Sequence, residues 1–171
     1  MKKIMYFFLI SCFSLTIISC ADVKEESTTT VDTTSTDNTT TTTDTTAPTV
    51  SSIYPTDNQS GVSISDNISV TFSEAMDNTS VTTNTVNTSC SGTMQVSSDN
   101  FSTCVQMKSV PSVSNSNKTF TVTPLANLDY STTYKILIGN GVKDLAGNVM
   151  GNTYTANAGF RIVSLVVFSA M

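Results

Sequence analysis

Beyond its first twenty residues the sequence predicts an all-β fold, an antiparallel β-sandwich of about seven or eight short strands, and three observations carry that expectation. Apolar and small polar residues alternate with a period of two in several runs, as strands with one buried face require. The runs are short, and turn residues separate them at near-regular spacing. No stretch after the leader has a convincing 3.6-residue period. About 120 residues from Ala47 onward are enough for one hydrophobic core and not for two.

Taken in order, the first candidate strand covers residues 50–54, just ahead of Pro55. Ile68-Ser69-Val70-Thr71-Phe72-Ser73 is the clearest alternation and places Ile68, Val70 and Phe72 on one face. Residues 84–89, 93–97 and 105–110 are further candidates, followed by Thr119-Phe120-Thr121-Val122-Thr123. Thr133-Tyr134-Lys135-Ile136-Leu137-Ile138 repeats the pattern with Tyr134, Ile136 and Ile138 inward. Residues 160–163 make the last strand. The apolar residues Leu165, Val166, Val167 and Phe168 are expected to prolong it along a sheet edge, because left in water they would invite aggregation.

The chain ahead of the strands has a different character. Lys2 and Lys3 precede an apolar run at 4–18 that has the length of a signal-peptide core and falls short of the roughly 20 residues needed to span a bilayer. The run closes on Ile17-Ile18-Ser19-Cys20, which resembles the lipobox of bacterial lipoproteins, with Ile17 in place of the commoner Leu. That resemblance implies a signal peptide at 1–19, removed after Cys20 receives diacylglycerol and further acyl chains such as palmitate. Several chains on one residue hold a bilayer far more firmly than one. The alternative is an ordinary secretory signal with an incidental cysteine. Cys12 follows Leu9-Ile10-Ser11, but cleavage there would leave too short an apolar core. Ala21, rather than the Asp that marks inner-membrane retention in enteric lipoproteins, favours the outer membrane.

Residues 20–46 then read as the lipidated cysteine and a disordered linker. From residue 27 to 46 the chain is mostly Thr with Asp and Asn, too polar to offset the entropy of ordering. Such a Thr-rich tract also suits O-glycans. Six acids, Asp22, Glu25, Glu26, Asp32, Asp37 and Asp44, stand here against Lys24 alone. The whole chain has eight basic and thirteen acidic residues; without Lys2 and Lys3, six against thirteen leaves a net charge of −7. Nucleic acid is excluded as a partner on that balance.

The chemistry available to the head is narrow. There is no His in the chain, which removes Ser-His-Asp and Cys-His nucleophilic schemes and the commonest metal ligand. Trp, common in carbohydrate-stacking sites, is also missing. The carboxylates Asp57, Asp66, Glu74, Asp77, Asp99, Asp129 and Asp144 fall on separate loops, whereas an acid-base pair needs one cleft. The expectation is therefore no enzyme, no catalytic residue and no cofactor. Calcium is the metal these oxygen donors suit, through a convergence of Asp57, Asp66, Glu74, Asp77 or Asp144 with backbone carbonyls at one end. With Cys20 acylated and Cys12 removed, Cys90 and Cys104 are left, and an even pair in an oxidising compartment reads as a disulfide. The alternative is two buried free thiols; two cysteines without His fall short of a zinc tetrahedron.

Ala47-Pro48-Thr49-Val50, Tyr54-Pro55-Thr56-Asp57, Gly61-Val62, the run Ile68 to Phe72 continued by Ser73-Glu74-Ala75-Met76-Asp77, the stretch from Leu128 to Tyr134, and Val142-Lys143-Asp144-Leu145-Ala146-Gly147-Asn148 occur in that order. Together they resemble the bacterial Ig-like domain of the S-layer (SbsA) type across almost all of residues 47–162. The resemblance implies an Ig-like Greek-key sandwich at 47–171. Two features depart from the family, the cysteines within residues 88–107 and a chain that continues past Ile162, where such a domain normally ends. Leu128 and Tyr134 fit a tyrosine corner, with the hydroxyl bonded back to the chain before its strand. Gly147 and Asn148, tolerant of positive φ, serve a turn.

These readings point to a non-enzymatic, lipid-anchored protein of the bacterial envelope, at the outer membrane and exposed at the surface, whose monomeric head is a display, adhesion or protein-interaction module toward a host or envelope protein. The second reading is a structural spacer without a specific ligand. A GPI-anchored protein, suggested by Asn-x-Ser/Thr sites and the apolar C-terminal residues, lacks the polar spacer such a tail needs.

Overall fold

A computed structural model describes residues 42–164. The leader, Cys20, most of the linker and the apolar segment 165–168 lie outside the described residues. Eight strands are found, β1 (Val50–Tyr54), β2 (Ile68–Phe72), β3 (Met94–Ser97), β4 (Ser112–Ser114), β5 (Thr119–Val122), β6 (Thr133–Ile138), β7 (Tyr154–Thr155) and β8 (Phe160–Arg161), and among the described residues there is no helix. One antiparallel sheet has the order β1-β2-β5-β4; the other has β3-β6-β7, with β8 also paired to β6. The chain crosses between the sheets from β2 to β3, from β3 to β4 and from β5 to β6, so each sheet mixes early and late strands.

Register explains why the alternating runs become strands. Val70 lies opposite Ile53 on one side and Phe120 on the other, so three inward residues form one layer. Val96 lies opposite Ile136, and Met94 opposite Ile138, in the facing sheet. The outward positions of β2 and β5 are Ser69, Thr71, Thr119 and Thr121, and the hydroxyls of Thr71 and Thr119 bond at 2.9 Å. On the inner face of the first sheet Phe72 and Phe120 pack edge to face with centroids 5.8 Å apart, and in the second Tyr134 stacks on Phe160 at 5.9 Å. Each such fully buried apolar side chain contributes about 1.5–3 kcal/mol.

The strand directions give the sandwich two distinct ends. β1 starts at the end where β2 and β6 finish and β5 starts, because Val50 pairs with Phe72 and Thr71 with Thr119. The loops at 73–77, 115–118 and 143–148 meet there: Met76 N–H donates to Asn117 O and Asp77 N–H to Lys143 O, both at 2.9 Å. The opposite end holds the start of β6 and the finish of β8, where Ser131 N–H donates to Val163 O at 3.0 Å and Leu128 N–H to Ile64 O at 2.9 Å. The described chain thus enters at one end and leaves at the other.

Two expected strands are absent. Residues 84–89 form a loop, because the Asn84 side chain bonds Asn87 O at 2.8 Å, offering the backbone a turn in place of a ladder. Residues 105–110 cross from one sheet to the other: Val105 N–H donates to Val96 O and Lys108 N–H to Thr123 O, so neither sheet holds the segment long enough for a strand. Its bridge from Met107 to Pro124 faces a residue with no N–H to extend the pairing. Conversely β4 and β7 form where no alternation was visible. The final strand is shorter than 160–163, with Ile162 instead bridging Val62 in parallel. Head contacts also reach back before Ala47, into the stretch read as linker, since Asn148 Nδ2 donates to Asp44 O at 3.1 Å.

Candidate functional site

The run Ser73 to Asp77 leaves β2 with its hydrogen bonds directed at the turn after β6. Met76 is fully buried and bridges Asp144, while Leu145 N–H donates to Ala75 O at 3.2 Å. Asp144 is buried as well, and its two carboxylate oxygens accept from Asn148 N–H at 2.8 Å and Asn148 Nδ2 at 2.7 Å. Burial alone would raise its pKa, but the bonds from Asn148, Gly147 and Ala146 outweigh it and hold the group below its ordinary value. Gly147 closes the turn at φ +92°. The Asp-Leu-Ala-Gly-Asn motif is therefore a self-capping turn that pins the two sheets together.

Asp44 and Glu74 come up against that turn. One carboxylate oxygen from each of Asp44, Glu74 and Asp144 lies within 4.8 Å of the others. Glu74 titrates above its ordinary value, through partial desolvation and then the negative charges of Asp44 and Asp144. Lys118 Nζ donates to the neighbouring Ser73 O at 3.2 Å. Hard oxygen donors of this kind suit calcium, yet calcium takes six to eight, and both Asp144 oxygens are already committed to Asn148.

Of the five carboxylates expected to converge, Glu74 and Asp144 are the two brought together. Asp77 is at the same end but caps its own turn, accepting from Thr79 N–H at 2.9 Å and Thr79 Oγ1 at 2.8 Å. Asp57 and Asp66 sit at the opposite end: Asp57 accepts from Gly159 N–H at 2.7 Å, and Asp66 from the Tyr54 hydroxyl at 2.9 Å. Asp77 thus serves its own turn, whereas Asp57 and Asp66 tie theirs to other segments.

At that opposite end Tyr134, buried at the start of β6, accepts at its hydroxyl from Asp129 N–H at 3.1 Å. Leu128 beside it is buried, so the two residues fix the crossing from β5 to β6. Desolvation, with the charge of Asp129, pushes the Tyr134 hydroxyl above its ordinary pKa. Cys90 and Cys104 are joined, with Cα atoms 4.9 Å apart, and the bridge ties the loop before β3 to the loop after it. In that second loop Asp99 accepts from Thr103 Oγ1 at 2.6 Å, Thr103 N–H at 2.9 Å and Ser97 Oγ at 2.8 Å, which holds its pKa down at about 2.

Sequence reasoning missed Asp44 as a neighbour of the Asp144 turn, because nothing in a Thr/Asp tract distinguishes one acid from the next. It also missed a recess of about 250 Å³ at the opposite end, lined by Val105, Leu125, Ala126, Leu128 and Tyr134 together with the polar residues Thr88, Gln106 and Asn127. These residues come from segments far apart in sequence.

A family model described as bacterial Ig-like domain matches residues 44–168. The match includes residues 163–168, which the sequence reading placed beyond the end of such a domain. Among solved structures the chain is similar to "Structure of surface layer protein SbsC, domains 1-6", with 25% identity over 71% of this chain and 14% of that one and a TM-score of 0.49. It is similar also to "Crystal structure of the N-terminal part of the bacterial S-layer protein SbsC", with 24% identity over 69% of this chain and 24% of that one and a TM-score of 0.49. The chain thus spans about a quarter or less of those structures. No curated protein matches it.

Proposed function

Because this chain belongs to the bacterial Ig-like domain family, we propose that it is a non-enzymatic lipoprotein of the cell envelope, anchored through Cys20, whose sandwich is a display, adhesion or protein-interaction head. The proposed organisation is a signal peptide at 1–19, a lipidated cysteine and Thr-rich linker at 20–46, and the head at 47–171. The observation that carries the reading is the polarity of the sandwich. The described chain meets the head at Asp44, beside the Asp144 turn, and the loops around Tyr54, Asp99 and Leu128 lie at the end away from Asp44. A tether joined at one end would present the other. The Cys90–Cys104 bridge supports an oxidising, extracytoplasmic compartment, and Ala21 supports the outer membrane.

One observation favours the second reading, a structural spacer. A chain that enters at one end and leaves at the other suits a link in a string of domains as well as a terminal head. Protease treatment of intact cells, followed by pull-down with the tagged full chain, separates the two. Display predicts that the head is shaved without lysis and that a saturable protein partner is recovered. A head protected until the cells are lysed would sink the display reading.

A further inference from the structure

Among the asparagines of the chain, Asn140 alone is followed by glycine. The pair forms the turn that leaves β6 toward Lys143, and both residues are exposed. Firm anchors stand on either side: Gly139 N–H donates to Thr93 O at 2.7 Å, Met150 N–H to the carbonyl of the fully buried Val142 at 3.0 Å, and Lys143 N–H to Ser80 Oγ at 2.9 Å. Between those anchors, neither the Gly141 N–H nor the Asn140 side chain has a hydrogen-bond partner among the described residues. A carboxamide is attacked most readily by a following backbone nitrogen that is unbonded, in water and unscreened by a side chain. Only glycine leaves it unscreened.

Other asparagines are guarded. Asn148 precedes the β-branched Val149, and its Nδ2 is held by Asp144 Oδ2 at 2.7 Å and Asp44 O at 3.1 Å. Asn115, followed by Ser116, has its Nδ2 on Thr119 Oγ1 at 3.3 Å, and Asn84 is buried with its Nδ2 on Asn87 O at 2.8 Å. We propose that Asn140–Gly141 is a self-modification site of the folded protein. The Gly141 nitrogen attacks the side-chain carbonyl carbon of Asn140, its proton passes through water to the departing amide nitrogen, and ammonia leaves. Water then opens the succinimide ring at either carbonyl, to aspartate or to isoaspartate, and no oxidant, reductant or enzyme is needed. Either product places a new negative charge at the end of the sandwich that carries Asp44, Glu74, Asp77 and Asp144. Isoaspartate also adds a methylene to the main chain between the anchors at Gly139 and Val142, which strains the approach to the Asp144 turn. The head thus records its own age where the described chain enters it.

The test keeps the full chain near neutral pH at physiological temperature and follows the tryptic peptide 136–143, bounded by Lys135 and Lys143, by mass spectrometry. That peptide should gain one mass unit while Asn115 and Asn148 stay intact, and electron-transfer fragmentation should find isoaspartate at 140. Gly141→Ala should slow the gain several-fold in a folded chain, because a Cβ there meets only Thr93 Cγ2 at 3.5 Å and the backbone is not left-handed. Conversion seen only after unfolding in guanidinium would overturn the proposal, since the turn would then hold the pair apart. So would a gain equally fast in Gly141→Ala. Asn140→Asp supplies the charge without the extra methylene, so the aged chain should melt below it. An aged chain that melts with Asn140→Asp would overturn the part assigned to the lengthened backbone.

Discussion

Gly147 and Gly159 share a left-handed backbone, at φ +92° and +72°, but differ in what surrounds them. A Cβ at Gly147 would meet nothing within 4 Å, whereas one at Gly159 would press into the Tyr134 carbonyl and lie 3.1 Å from Thr133 Cγ2. Gly147→Ala should therefore lose only the conformational term, about 1 kcal/mol, and Gly159→Ala that plus a backbone shift, about 3 kcal/mol. Urea midpoints of the two variants check the order. The carboxylates make a pH prediction of opposite signs. Glu74 titrates above its ordinary value in the folded chain, so its contribution is present at acid pH and lost as pH rises through that folded value. Asp99 is held at about 2 against an ordinary 3.8, so its contribution is present above 3.8 and lost as pH falls toward 2. Melting temperature followed against pH should show the acid limb flattened in Asp99→Asn and the decline above it flattened in Glu74→Gln. An unchanged acid limb in Asp99→Asn would mean that the Thr103 and Ser97 bonds do not hold the carboxylate.

At the scale of elements, legibility followed burial on one face. β2, β5 and β6 were visible because each alternates large apolar residues with Ser, Thr or Lys. β4, Ser-Val-Ser with all three residues exposed, has no buried face to write a pattern, and the two-residue β7 is too short to show one. The segment 105–110 misled for the converse reason: its alternation is real, but it serves two sheets in turn. The site was legible where motif and turn coincide, at Asp144 through Asn148 and at Leu128 with Tyr134. The approach of Asp44 to that turn, and the recess, are products of tertiary folding and had no local signal. The cysteine bridge belongs to this scale as well, since it spans β3 and closes a loop with a separation of 14 residues. Replacing both cysteines by Ala should lower stability by about 3 kcal/mol in the loop-entropy model, seen as a fall in melting temperature with the same fold by circular dichroism. A double variant that melts with the parent would show that the Asp99 loop orders itself.

Across the whole molecule, the contact between Asp44 and Asn148 sets where linker behaviour stops. Deleting residues 21–43 should leave the melting temperature within error, because so polar a Thr/Asp tract has little apolar surface to bury. On the proposed display reading, the same deletion on cells should reduce antibody access, because it takes away the residues that would hold the head off the surface. A scrambled linker of equal composition should restore that access. Equal access in all three forms would end the display reading in favour of the spacer. The placement of the first and last described residues at opposite ends of the sandwich also has a mechanical meaning. Tension between an anchor on the linker side and a load on the far side would run along the strands. The bonds joining β1 to β2, and β8 to β6, would then bear it side by side in shear and would have to rupture together, whereas a hairpin pulled from one end peels bond by bond. Such a head would hold under a pull that unzips folds of similar equilibrium stability.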